Sequence, residues 1–188
     1  CIDSIRNQSL KDIEIILVEN QSNDGSAALC DEYMSFDSRV KVLHLPVANA
    51  SIARNAGLDI ASAPYVGFVD SDDYVANDYV ESLYKLILEN DAQMSITRCI
   101  PFFEGTKPVH IRQTKITKVF DTNNALISLF YQKDFDNAAW AKMYHCSLFK
   151  SDIRYPTGWL YEDLPTTYKL MMLCNKIAFS SYETVSYT

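Results

Sequence analysis

This chain predicts an α/β protein, a mainly parallel mixed sheet with helices on both faces, and three observations carry that prediction. Short apolar runs rich in β-branched residues, such as Ile13-Glu14-Ile15-Ile16-Leu17-Val18 and Tyr65-Val66-Gly67-Phe68-Val69, alternate with stretches of helical spacing. The runs are nearly continuous in apolar character, as strands buried on both faces are. Each ends in polar or turn-forming residues, and right-handed crossovers between such strands place helices on the two sides of the sheet.

Taken in order, Cys1 to Asn7 reads as a helix and Ile13 to Val18 as a buried strand. The turn Asn23-Asp24-Gly25-Ser26 follows, with Ser26 expected to cap a helix over Ala27 to Met34. Arg39 to Leu45 is the next strand, with Val40, Val42 and His44 on one face and Pro46 ending it. Ser51 is the expected cap of a helix through Ala61, in which Ile52, Ala56 and Ile60 recur at steps of four. Ser62-Ala63-Pro64 delivers the chain into the strand at Tyr65. Asn77 to Glu89 is an amphipathic helix through Val80, Leu83, Tyr84, Ile87 and Leu88, and Met94 to Cys99 a further strand. Pro101 to Phe120 mixes Pro, Lys and Thr with short apolar pieces and is assigned a hairpin or irregular crossover. A helix over Asn123 to Tyr131, the aromatic-rich stretch Trp140 to Phe149 and a last helix over Pro165 to Leu173, with Pro in its first turn, complete the chain.

With 188 residues the chain is long enough for one domain with a real core, or a domain with a small appendage. A net charge of −7 argues against a nucleic-acid binder, which needs a basic face; nucleotides stay open, because a metal ion can supply positive charge locally. The five cysteines are odd in number and widely spaced, which fits a reduced cytosolic setting. The histidines His44, His110 and His145 share no ligand spacing. No apolar run approaches the roughly 20 residues that span a bilayer, and no signal peptide is visible; peripheral attachment to a membrane and the oligomeric state stay open. Opening on Cys1, inside an expected helix, the sequence reads as a piece of a longer protein.

Two acidic stations carry the chemistry. Asp70-Ser71-Asp72-Asp73 follows the strand from Tyr65, where ligands of open α/β sheets bind. Three carboxylates converging there repel one another unless a cation compensates them, and a hard ion such as Mg²⁺ or Mn²⁺ suits oxygen ligands. The bland reading is a polar loop. Glu162-Asp163 precedes the last helix, either as a working acid–base pair or as acids favoured by the helix dipole.

Three ordered segments, Gln8 to Val18, Ala53-Arg54-Asn55-Ala56-Gly57-Leu58-Asp59 and Gly67-Phe68-Val69-Asp70-Ser71-Asp72-Asp73, resemble the family 2 glycosyltransferases of GT-A (Rossmann-like) fold. The resemblance is close over residues 1–100 and thinner at the Trp-x-Lys and Glu-Asp segments. It implies transfer of a hexose-type sugar, with inversion, from a nucleotide-diphosphate donor to a hydroxyl of a glycan or lipid-linked acceptor, in polysaccharide synthesis; the expected location is the cytoplasm, with the inner face of the membrane left open. It also implies one continuous domain, with residues 1–100 on the donor side, 101–188 on the acceptor side, and the family's first strand missing. By the same resemblance Asp70, Ser71, Glu19 and Asn20 meet the donor, Asp72 holds Mn²⁺ or Mg²⁺, and Asp73 either supports the metal indirectly or caps the next turn. Asp163 becomes the general base, supported by Glu162. Arg54 pairs with donor phosphate or an aspartate, or is a structural ion pair. Trp140, Lys142 and Trp159 fall on the acceptor side, with a core role equally open for Trp140.

The chain departs from the family at Glu19-Asn20-Gln21-Ser22, where an Asp-Asp-Gly-Ser sequence is usual. Asn20 replaces an acceptor-only carboxylate with an amide that also donates, so base reading is expected to change. Ala48-Asn49-Ala50-Ser51 lacks the paired glycines of the family. A non-catalytic sugar-nucleotide binding module is the alternative these changes raise. A nucleotidyltransferase would need a phosphate-cradling Gly-rich loop, and none is present among five glycines.

Overall fold

The computed structural model describes residues 1–101, 115–150 and 152–187. The chain forms α1 (Ile2–Arg6), β1 (Ile15–Glu19), α2 (Ser26–Phe36), β2 (Val40–His44), α3 (Ala50–Ile60), β3 (Tyr65–Gly67), β4 (Tyr74–Val75) and α4 (Tyr79–Asn90). Then come β5 (Met94–Pro101), β6 (Thr117–Phe120), α5 (Thr122–Phe130), β7 (Lys142–His145), a 3-10 helix (Cys146–Lys150), α6 (Leu164–Met172) and β8 (Ile177–Tyr187).

β1 and β2 pair in parallel as a two-stranded sheet, from Ile15 opposite Val40 to Glu19 opposite His44. The other strands form a six-stranded sheet in the order β3-β7-β5-β8-β4, with β6 also on β8. β3, β5 and β8 share one direction, because β3 and β5 each run antiparallel to β7 while β5 and β8 pair in parallel. β4, β6 and β7 enter antiparallel, which helix–strand alternation does not foretell. Strands from both halves of the chain interleave in this one sheet.

The alternation of side chains along a strand gives the sheet a core on each face. Met94, Ile96, Tyr144, Ile177 and Phe179 face one way, against Ala125 and Leu129 of α5 and Leu170 and Met171 of α6. Met143 and Val185 face the other way, against Tyr79, Leu83 and Ile87 of α4. Helices therefore cover both faces, as expected. Each fully buried Leu or Ile in these layers contributes about 1.5–3 kcal/mol. At Gly67 the backbones of β3 and β7 come so close that a Cβ would sit 3.1 Å from the Lys142 carbonyl oxygen.

Several local expectations are corrected. Ser26 is the first residue of α2 rather than its cap, and its N–H and hydroxyl both donate to Asp24 Oδ1. Ser51 lies inside α3, whose cap is Asn49, accepting the Ile52 N–H at 2.9 Å. Leu88 is 56% exposed, because the buried stripe of α4 runs through Tyr79, Leu83, Leu86 and Ile87. β4 and β8 were not expected; the Ser and Thr residues of β8 interrupt the apolar pattern that marks a buried strand. Of the stretch expected to form a hairpin or crossover, residues 102–114, with His110, lie outside the described residues, and the part that follows forms β6. All five cysteines are free thiols. Among the described residues no helix is long and apolar enough to cross a membrane.

Candidate functional site

β3 ends at Gly67, and Phe68 still bridges to Trp140 before the chain turns at Asp70-Ser71-Asp72-Asp73. The Asp73 N–H closes this turn on the Asp70 carbonyl at 3.1 Å. A tight turn splays its side chains. The Asp70 carboxylate points to Arg54, Ser71 and Asp72 are exposed, and Asp73 is buried. The three carboxylates therefore do not converge, and among the described residues no three His, Cys, Asp or Glu side chains are placed to hold one metal ion.

Arg54, on α3, joins the two acidic stations. Its Nη2 donates to Asp70 Oδ1 at 2.8 Å and its Nη1 donates to Glu162 Oε1, while the guanidinium lies over the Tyr155 ring at 5.5 Å. A planar fork with several donors can span two carboxylates in this way; a lysine cannot. Burial works hardest against the charge, yet Asp70 and Glu162 together keep the Arg54 pKa above its ordinary value.

Asp163 caps α6: its Oδ1 accepts the Leu164 N–H at 2.9 Å, and its carbonyl accepts the N–H groups of Thr166 and Thr167. Its pKa is nonetheless raised, first by burial and then by the Glu162 charge, against the lowering effects of the Leu164 N–H and Arg54. A carboxylate in this state holds a proton more tightly than one in water, the property a general base needs.

At the carboxyl end of β1, Glu19 is 8% exposed; its carboxylate accepts the Ser22 N–H and lies 3.4 Å from His44 Nδ1, whose Nε2 is 2.9 Å from Asp31. The Ser22 bond, with help from His44, lowers the Glu19 pKa against burial. These bonds tie Glu19 to the turn that ends β1. Asn20 Oδ1 accepts the Asn49 N–H at 2.8 Å and Gln21 Oε1 accepts the Ala48 N–H at 3.2 Å. These bonds brace the loop that lacks the family's glycines.

The acceptor-side residues separate. Trp159 is 62% exposed on the loop before α6, and Trp140 is half-buried against the α4 side of the core. Lys142 is 1% exposed, its ammonium donating to the Ala138 carbonyl at 2.7 Å and lying 3.5 Å from Asp136. Expected in a Trp-x-Lys element near the acceptor cleft, Lys142 lies on β7 between β3 and β5, and its side chain enters the core. That burial lowers the Lys142 pKa, with Asp136 opposing.

Sequence reading missed Ser51, Asn55 and Tyr155. Ser51 donates to the Pro156 carbonyl at 2.7 Å, and the Asn55 amide bonds both polar groups of the Tyr155 backbone. The available signal was a polar stripe, Ser51, Arg54 and Asn55 at i, i+3 and i+4, on a helix whose interior Asn is otherwise unfavourable. Two surface depressions lie away from the site, one of about 490 Å³ between β6 and α5 and one of about 250 Å³ around Asp59 and Arg154. The site is defined by converging charged groups.

The chain is 34% identical to the glycosyltransferase GlyA of Streptococcus pneumoniae serotype 4 (strain ATCC BAA-334 / TIGR4), over 100% of this chain and 28% of that protein. It is 30% identical to the glycosyltransferase GlyG of the same organism, over 95% of this chain and 62% of GlyG, so it spans only part of these relatives. The fold matches the crystal structure of S. aureus TarS 1-349 in complex with UDP-GlcNAc with a TM-score of 0.81, at 22% identity, over 100% of this chain and 53% of that one. Residues 1–153 match the model of Glycosyl transferase family 2, and the chain belongs to that family.

Proposed function

We propose that this chain carries the donor site and the base of an inverting glycosyltransferase, which moves a sugar from a nucleotide diphosphate to a hydroxyl of a glycan or lipid-linked acceptor. One observation carries this reading: a single guanidinium ties Asp70, after β3, to Glu162, beside a half-buried carboxyl of raised pKa. Donor groups and base thus flank one place. Asp163 takes the acceptor proton as the hydroxyl attacks opposite the leaving diphosphate, and one such displacement inverts the anomeric carbon. Arg54 holds the Asp70 and Glu162 carboxylates on either side of this place.

A closed cage of three carboxylates does not fit this turn. An ion that takes one or two carboxylates and completes its shell with phosphate oxygens does, and Asp72, exposed next to Asp70, would hold Mg²⁺ or Mn²⁺ in that manner. Such an ion supplies Lewis-acid stabilisation of the leaving group. The TarS complex with UDP-GlcNAc supports a nucleotide sugar as ligand class. Asn20 gives the base site its character: a backbone N–H pairs only with the amide oxygen, so Oδ1 is fixed and the Asn20 N–H₂ end is offered to an acceptor atom of the base.

Melting curves of the full-length protein with several nucleotide sugars, with and without Mn²⁺, test the reading. A donor at 100 times its Kd stabilises by about 2.7 kcal/mol. Transfer assays with Asp163→Asn and Asp72→Ala complete the test. Near-wild-type transfer by both variants overturns the mechanism, and binding without turnover on any acceptor favours the binding-module alternative raised by the Glu19 to Ser22 segment.

A further inference from the structure

The chain between Tyr155 and Asp163 has few anchors of its own. Residues 157–161 are all exposed, Gly158 and Tyr161 adopt φ values of 81° and 59°, and Trp159, Leu160 and Tyr161 are 62%, 87% and 73% exposed. The segment is held at its ends. At the far end Asp163 caps α6 and Glu162 meets Arg54. At the near end Asn55 Nδ2 donates to the Tyr155 carbonyl at 2.8 Å, the Tyr155 N–H donates to Asn55 Oδ1 at 3.0 Å, and Ser51 Oγ donates to the Pro156 carbonyl at 2.7 Å.

We infer that Asn55, assisted by Ser51, is a positioning residue for the reaction proposed above: it clasps the Tyr155 backbone to α3 and thereby sets Asp163 against the donor groups at Asp70. The inference rests on that reading of the function. The chemistry suits an amide, because Tyr155 presents one backbone donor and one backbone acceptor, and the amide answers them with its own oxygen and N–H₂ on one planar group. The same helix carries Arg54, so α3 fixes the Asp70 side and the Asp163 side as one rigid unit. Displacement of a reacting group by about 1 Å can cost 100-fold in rate, so a clasp of this kind bears directly on turnover.

The test uses the full-length protein and separates positioning from stability. Asn55→Ala is expected to lower kcat about 100-fold while leaving the donor KM within about twofold. Asn55→Asp keeps an acceptor for the Tyr155 N–H and falls between, and Ser51→Ala shows a smaller loss in the same sense. Carbonyl-carbon NMR titration of Asp163, assigned with Asp163→Asn, gives a readout independent of turnover. In Asn55→Ala the Asp163 pKa falls toward the ordinary carboxylate value as water reaches the loosened segment, with Glu162, Arg54, Lys142 and Tyr155 still facing it. A lower melting temperature with unchanged kcat and unchanged Asp163 titration overturns the inference. If Asn55→Ala does not fold, Asn55→Asp and Ser51→Ala carry the same readouts, and wild-type behaviour in both overturns it. If the wild type transfers no sugar while the Asp163 titration moves in the variants, the positioning stands and the functional reading falls.

Discussion

Replacing Arg54 with Ala removes the one side chain that joins the two acidic stations, and the size of the effect follows from its surroundings. A hydrogen bond to a charged group contributes about 1.5–3 kcal/mol. The bond to Glu162 belongs in that range, since both side chains are 15% exposed. The bond to Asp70 is discounted to well under 1.5 kcal/mol, because the Asp70 side chain is 39% exposed and screened by water. A total loss of about 3 kcal/mol is expected at pH 7. With an m-value of about 2 kcal/mol/M in urea, the unfolding midpoint drops by about 1.5 M. Arg54→Lys keeps the charge but not the span, and falls between the two. Urea unfolding at pH 7 is the assay. A gap under about 0.5 kcal/mol refutes the account of Arg54 as the tie.

Asp163→Asn is expected to lower transfer by about 10²–10⁴-fold yet leave stability nearly unchanged, since Asn caps a helix as well as Asp; Asp163→Ala also loses about 1 kcal/mol in thermal or chemical unfolding. The transfer rate falls on acidification as Asp163 takes up its proton, at a pH above the ordinary carboxylate range, and Glu162→Gln, by removing a charge that raises the Asp163 pKa, moves this limb of the pH–rate profile to lower pH. Gly67→Ala places a Cβ against the Lys142 carbonyl and is expected to cost about 1–3 kcal/mol by urea unfolding; wild-type stability would refute the close approach of β3 and β7. Calorimetry is expected to show donor affinity rising on addition of Mn²⁺, and Asp72→Ala abolishing most of that rise.

Elements whose apolar period is strong were legible in the sequence to within a few residues: α4 through Leu83 and Ile87, α5 over Thr122–Phe130, and β5 from Met94. Caps were not, because Ser, Asn and Asp compete for the same N–H groups, and whichever side chain sits nearest takes the bond, as Asn49 does before Ser51. β8 was hidden by Ser180, Ser181 and Thr184, which are polar in the sequence and buried or half-buried in the fold through hydrogen bonds such as Thr184 to Thr97 at 2.6 Å. Within the site, the acidic residues could be named from the chain alone, but their directions could not. A β-turn decides that Asp70, Asp72 and Asp73 part company, and only packing reveals that Lys142 enters the core.

The proposal of a divalent ion has a charge argument beside the family resemblance. Asp70 and Glu162 share one guanidinium, and Asp72 and Asp163 stand close to them in the chain, so carboxyl groups outnumber the cation that joins the stations. The ammonium of Lys142 is committed to Ala138 and Asp136. A diphosphate brings further negative charge to the same place, where carboxylates already repel one another. Arg54 can turn toward the phosphates only by releasing Asp70 or Glu162, which leaves an uncompensated carboxylate beside the new anion. This charge balance supports the proposal that the donor is accepted together with a divalent ion, with Asp72, the exposed carboxylate of the turn, as its proposed ligand. The splay of the Asp70–Asp73 turn thus gives its acids different surroundings: Asp70 organises the protein through Arg54, Asp72 is exposed, and Asp73 is buried in the fold.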